Sequence, residues 1–130
     1  MIANNPSTAA IALAIDENAV KQKLADICLL SIGTGFFPQQ IVEDTTDWGA
    51  VQWVLNLDPP VPLITVLFDG MVRADVLFSS QLLGGRYFRL NPTLPKAVSL
   101  DDYKQVPHLV SLAQDYELKP AMDWITRNWF

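Results

Sequence analysis

Hydrophobic and polar positions fall in blocks along this chain, and the period changes from block to block. Residues 4–15, "NNPSTAAIALAI", open polar and run on as small apolar residues, with no charge before Asp16. Asn5 is expected to cap through its side-chain oxygen, and Pro6 suits a first helical position, where its missing N–H is not needed. The block therefore predicts a helix buried on most sides, thin enough to approach a neighbour closely. "DENAVKQK" then returns the chain to solvent.

"DICLLSIGTG", residues 26–35, has a continuous apolar run closed by two glycines. That pattern predicts a strand covered on both faces, as in a parallel or mixed sheet under helices. Its Gly-Thr-Gly end permits a sharp turn or a close backbone approach. From Asp47 the period becomes helical. Trp48, Val51, Trp53, Val54 and Leu55 make a short apolar helix, stopped near Pro59 and Pro60. Next, Leu63, Val66, Leu67, Val72, Val76, Leu77 and Leu83 recur at helical spacings, predicting one long helix ended by Gly84 and Gly85. "RYFRLNP" predicts a short strand closed by Pro92. The remainder predicts two helices, the first capped near Ser99 or Asp101 and interrupted by Pro107, the second opened by Pro120. The expected class is α/β and helix-rich, with one strong central strand and one or two further short ones. A central strand needs neighbours on both edges, so part of a sheet is wanting.

Composition narrows the functions. At 130 residues the chain is expected to form a single domain spanning 1–130. The net charge is −5 and the nine basic residues are scattered. This argues against nucleic acid as a partner, because counterion displacement needs a basic surface. No run reaches the roughly 18–20 apolar residues of a membrane span, and Asn4, Asn5 and Pro6 stand where a signal peptide would carry basic residues. A transmembrane segment is not expected. Cys28, the one cysteine, reads as a buried structural thiol in a reducing compartment.

Candidate chemistry is sparse. The strained elbow of an α/β serine hydrolase needs G-x-S-x-G, and the nearest stretch, "LLSIG", has Leu29 in place of the first glycine. Ser31 lies inside the predicted strand, where its hydroxyl is expected to hydrogen-bond rather than attack an ester. His108 has no second His or Cys to complete a metal set and reads as a surface helix residue. Asp69, in "FDG", reads as a solvent-facing helical residue with Arg73 one turn on. The four tryptophans, at positions 48, 53, 124 and 129, read as core anchors before ligand contacts. No catalytic set and no metal site assemble from these residues.

Two stretches together carry a family signal. "ANNPSTAAIALA", followed closely by "LLSIGTG", resembles the C-terminal half of the patatin-like phospholipases, the lipid acyl hydrolases. "QLLGGRYFRLNPTL" is similar to the short strand after the long helix of bacterial members, and the resemblance runs from Met1 to about Leu94. It implies part of a three-layer α/β/α sandwich. It also implies Ser-Asp dyad chemistry, in which serine attacks the acyl ester, aspartate carries its proton and a glycine-rich loop stabilises the oxyanion. Met1 stands where the family's Asp-Gly-Gly motif ends, so nucleophile, oxyanion loop and aspartate are expected upstream, and the chain alone is expected to be inactive. The residues matched are supportive: Asn4, Asn5 and Pro6 in the turn after the aspartate, and Gly33, Thr34 and Gly35 at the neighbouring strand end.

The resemblance implies no cofactor and, for the parent enzyme, a lipid or acyl-ester substrate. A cytoplasmic location, peripheral to membrane in one version, goes with it. The alternative is a non-catalytic interaction module descended from that fold, forming an oligomer through exposed sheet edges.

Overall fold

The computed structural model describes residues 4–38, 44–55, 62–99 and 101–130. Met1 and the expected helix stop at Pro59 and Pro60 lie outside the described residues. The chain gathers into two compact units, Met1–Leu29 with Pro38–Tyr87, and Leu30–Phe37 with Phe88–Phe130. The class is α/β and helix-rich: helices dominate, and the sheet among the described residues has two strands.

The first unit is built on α3, Pro62–Leu83, the long helix that the apolar period predicts. Gly84 ends it at φ +56, a left-handed conformation that glycine adopts without steric cost. Against α3 pack α1, Ser7–Ile15, and α2, Ala50–Leu55. The core between α1 and α3 is small. Ile11 and Ser7 from α1 are buried, as are Ser79 and Leu83 from α3. Past the end of α3, the Arg86 guanidinium donates to the carbonyls of Leu24, Ala25 and Ile27, at 2.5, 2.8 and 2.8 Å. One cation thereby pins the single-turn 3-10 segment Leu24–Asp26. Trp48 and Trp53 meet edge to face at 5.3 Å, a geometry worth about 0.5–1.5 kcal/mol beyond buried area.

In the second unit β1, Leu29–Ile32, pairs with β2, Tyr87–Leu90. The register continues beyond the strands. Phe36 N–H donates to the Pro92 carbonyl at 2.8 Å and Leu94 N–H to the Phe36 carbonyl at 2.7 Å, a parallel bridge. Two helices follow, α4 at Val106–Gln114 and α5 at Lys119–Trp129. The buried anchor is Trp124 of α5, whose ring lies 5.6 Å from both Phe88 and Trp129. The Ser99 hydroxyl donates to Asp101 ahead of α4 and holds that carboxyl below its usual range.

Four local expectations need correction. Helix α1 is not buried on most sides: Leu13 is 62 % exposed, and Ala9, Ala10 and Ala12 are exposed with it. A mostly apolar helix predicts burial only where partners exist, and here α3 covers one face. Strand β1 is not covered on both faces either, since Ser31 is buried while Ile32 is 69 % exposed. Cys28, next to it, is half-buried rather than buried. Pro107 does not interrupt a helix but sits in the first turn of α4, where its missing N–H has no helical acceptor to serve. Pro120 takes the same place in α5, as expected.

Candidate functional site

The turn before α1 is built from its side chains inward. Asn5 is buried, and its Oδ1 accepts the Ser7 hydroxyl at 2.7 Å and the Ser7 N–H at 3.4 Å. The Pro6 carbonyl accepts the first helical bond, from Ala10 N–H at 2.8 Å. Pro6 therefore stands at the cap position, one residue earlier than the sequence pattern suggests, with Asn5 satisfying the first free amide from outside. Asn4 and Pro6 are exposed.

A second anchor comes from α3. The Asp75 carboxylate accepts the Thr8 N–H at 2.8 Å and, through the same Oδ1, the Thr8 hydroxyl. Thr8 Oγ1 also lies 3.3 Å from Ser79 Oγ, itself wholly buried. A carboxylate set against the first turn of a helix satisfies a terminal amide and meets the positive end of the helix dipole. Asp75 is therefore engaged as an anchor for α1. Sequence reasoning passed over it, although a signal was available: Asp75 and Ser79 are polar residues four apart, on the face that α3 otherwise lines with Val72, Val76 and Leu83.

Between these anchors opens a cavity of about 290 Å³, lined by Asn4, Asn5, Thr8 and Ala9 on one side and Met71, Ala74, Asp75 and Phe78 on the other. Its walls are mainly apolar. Its polar lining consists of Asn4, Asn5, Thr8 and Asp75.

Gly33, Thr34 and Gly35 belong to the second unit. Gly33 N–H donates to the Leu90 carbonyl at 2.8 Å, and Gly35 N–H to Asn91 Oδ1 at 3.0 Å. A Cβ on Gly33 would stand 2.1 Å from Asn91 Oδ1, and Gly35 has φ +107. This is the close backbone approach that the sequence predicts. Thr34 is exposed.

The remaining candidates are tied into structure. Ser31 is buried, and its hydroxyl oxygen accepts Arg89 Nη1 at 2.6 Å. A guanidinium has only donors and keeps its proton, so this pair provides no general base for Ser31. Asp69 closes on Arg73 at 2.8 Å one turn along α3, and His108 is exposed on α4. Among the described residues no group of His, Cys, Asp or Glu has the disposition to hold a metal ion. No described helix is long and apolar enough to cross a membrane.

Comparison with known proteins gives two relatives. The chain is 38 % identical over 148 residues to "Protein teg" of Priestia megaterium, a match covering 98 % of this chain and 46 % of the relative. It is 34 % identical over 149 residues to the "Putative sporulation hydrolase CotR" of Bacillus subtilis, covering 99 % of this chain and 46 % of that protein. The chain thus spans about half the length of the curated relatives it matches. Both alignments are longer than these 130 residues, so the relatives carry insertions within the shared region. No family model matches the chain, and no solved structure matches it.

Proposed function

We propose that this chain is part of a hydrolase of the patatin-like type, acting on lipid or other acyl esters. In this reading the chain supplies scaffold. The serine nucleophile, the oxyanion loop and the catalytic aspartate belong to a portion of the enzyme outside these 130 residues. The observation that carries the hydrolase reading is the 34 % identity, over 99 % of the chain, to a relative named as a hydrolase. The narrower acyl-ester reading has further support in the order of elements. A turn at Asn4, Asn5 and Pro6 opens a small-residue helix, and a strand then runs into Gly33, Thr34 and Gly35, with the Gly35 amide held by Asn91.

In such an enzyme Asn5 would fix the loop entering α1, and Asp75 would hold the first turn of α1 on α3. Together they set where the preceding catalytic loop leaves the scaffold. The engaged state of Ser31 agrees with a scaffold role, because its hydroxyl is committed to Arg89.

The test is hydrolysis of p-nitrophenyl butyrate and of a phosphatidylcholine vesicle by two purified proteins, the full-length Bacillus subtilis relative and this chain. The relative is expected to turn over at least one of them, and this chain to match the blank. Activity of this chain that disappears in Ser31→Ala would overturn the scaffold assignment. An inactive relative would overturn the acyl-ester class.

A further inference from the structure

Helix α3 carries two apolar stripes, and α1 covers only one of them. On the covered side Val72, Val76, Ser79 and Leu83 are half-buried or buried. On the other, Ile64, Leu67, Met71, Ala74, Phe78 and Leu82 recur at spacings of three and four residues, the interval at which helical side chains share a face. That second stripe contains no charge. Leu67, Met71 and Phe78 are 57, 50 and 56 % exposed, and Ile64 and Leu82 are exposed with them. The Asn4–Asp75 cavity opens at its middle, where Met71, Ala74 and Phe78 face the start of α1, so the stripe and α1 line a mainly apolar groove that carries the Asp75 carboxylate. Soluble proteins rarely leave an apolar patch of more than a few hundred Å² open to water unless it is an interaction site.

We propose that this groove is the seat of the other portion of a longer hydrolase polypeptide, the portion that the relatives carry beyond the region shared with this chain. The proposal rests on the hydrolase reading above. Two observations select that occupant. The shared region takes in nearly all of this chain yet only 46 % of each relative, so each relative has more than as much chain again to place against it. The charge that lines the groove is the Asp75 carboxylate, in a chain of net charge −5, which gives an anionic lipid surface no electrostatic hold. The occupant is therefore an apolar protein element, with hydrogen-bond donors where it meets the Asp75 carboxylate, which has acceptor capacity beyond its two bonds to Thr8.

Thiol labelling tests this without reference to activity. In a Cys28→Ser background, Met71→Cys and Phe78→Cys are introduced singly into this chain. Cysteines are likewise placed singly at the aligned positions of the full-length Bacillus subtilis relative, after its own cysteines are removed. Maleimide labelling is timed in the folded and the urea-unfolded states, and light scattering gives the mass of this chain. The expected result is a monomer labelled within about tenfold of its unfolded rate, and a full-length relative protected by 100-fold or more. Equal, rapid labelling in the folded relative overturns the proposal, since the groove then stays open in the longer protein. So does a stable dimer of this chain with both thiols protected, because a second copy would be the occupant. A circular-dichroism spectrum matching the parent confirms that each variant compared is folded, and Leu67→Cys and Leu82→Cys take the place of any that is not. If the relative proves inactive on esters while its thiols are protected, the substrate class falls and the interface stands.

Discussion

Gly33 and Gly70 share a side chain of one hydrogen but live under opposite constraints. At Gly33 an added methyl would collide with Asn91 Oδ1 at 2.1 Å and with Arg89 Nη2 at 2.9 Å. The side chain of Asn91 is itself held by the Gly35 amide, so it yields at a cost. Gly33→Ala is expected to destabilise by about 1–3 kcal/mol, in the range of overpacking. At Gly70, in mid-helix and exposed, an added methyl meets nothing. There Ala removes backbone freedom from the unfolded chain, and Gly70→Ala is expected to stabilise by about 0.5–1 kcal/mol. Urea melts of the two variants beside the parent measure both, and a shift of the same sign in each would refute the contrast. The sequence makes the close approach at Gly33 legible, because a strand ending in paired glycines has few other uses. It does not name Asn91, which lies 56 residues from Gly35.

Helix α1 depends on a group outside itself. Its first turn contains no acidic residue and its last turn no basic one, so nothing internal opposes its dipole. Asp75 supplies the missing charge from α3. Asp75→Ala is expected to cost about 1–2 kcal/mol, the loss of a cap, and to release α1 locally. Asp75→Asn should recover part of that, since an amide oxygen still accepts the Thr8 N–H but carries no charge. Amide hydrogen exchange along residues 8–15 reads the effect directly. Loss confined to α4 and α5 would sink the assignment. At this scale the existence of α3, α4 and α5, the end of α3 and the start of α5 are legible from period, proline and glycine, whereas α4 begins at Val106, with Pro107 in its first turn rather than interrupting it. Which stripe of α3 is covered is not, because two apolar stripes look alike until a neighbour chooses one. The same ambiguity explains α1, whose apolar character marks a need for cover rather than its presence.

Each unit draws on two separated stretches, and the chain passes between them at Leu29, at Phe37 and again at Tyr87. No single cut divides one unit from the other. A chain ending at Tyr87 would keep Leu30–Phe37 but lose the partner strand, the bridge at Thr93 and the Trp124 anchor. Such a truncation is expected to be cut by protease within 30–37 under conditions where the 130-residue chain resists, as gel electrophoresis of timed digests will show. Resistance equal to that of the parent would mean that β1 is protected without β2. The composition of the second unit was the least legible part of the fold, since it joins a strand to helices that begin some seventy residues later. The period of a local window carries no information about such a partner.

The parallel pairing also sets a schedule for the ribosome. Ser31 and Arg89, which face each other across the two strands, lie 58 residues apart. At roughly 5–20 residues per second, the first strand is made about 3–12 seconds before its mate exists. Through that interval a short apolar ribbon with bare edges travels with the nascent chain while α3 can already coil.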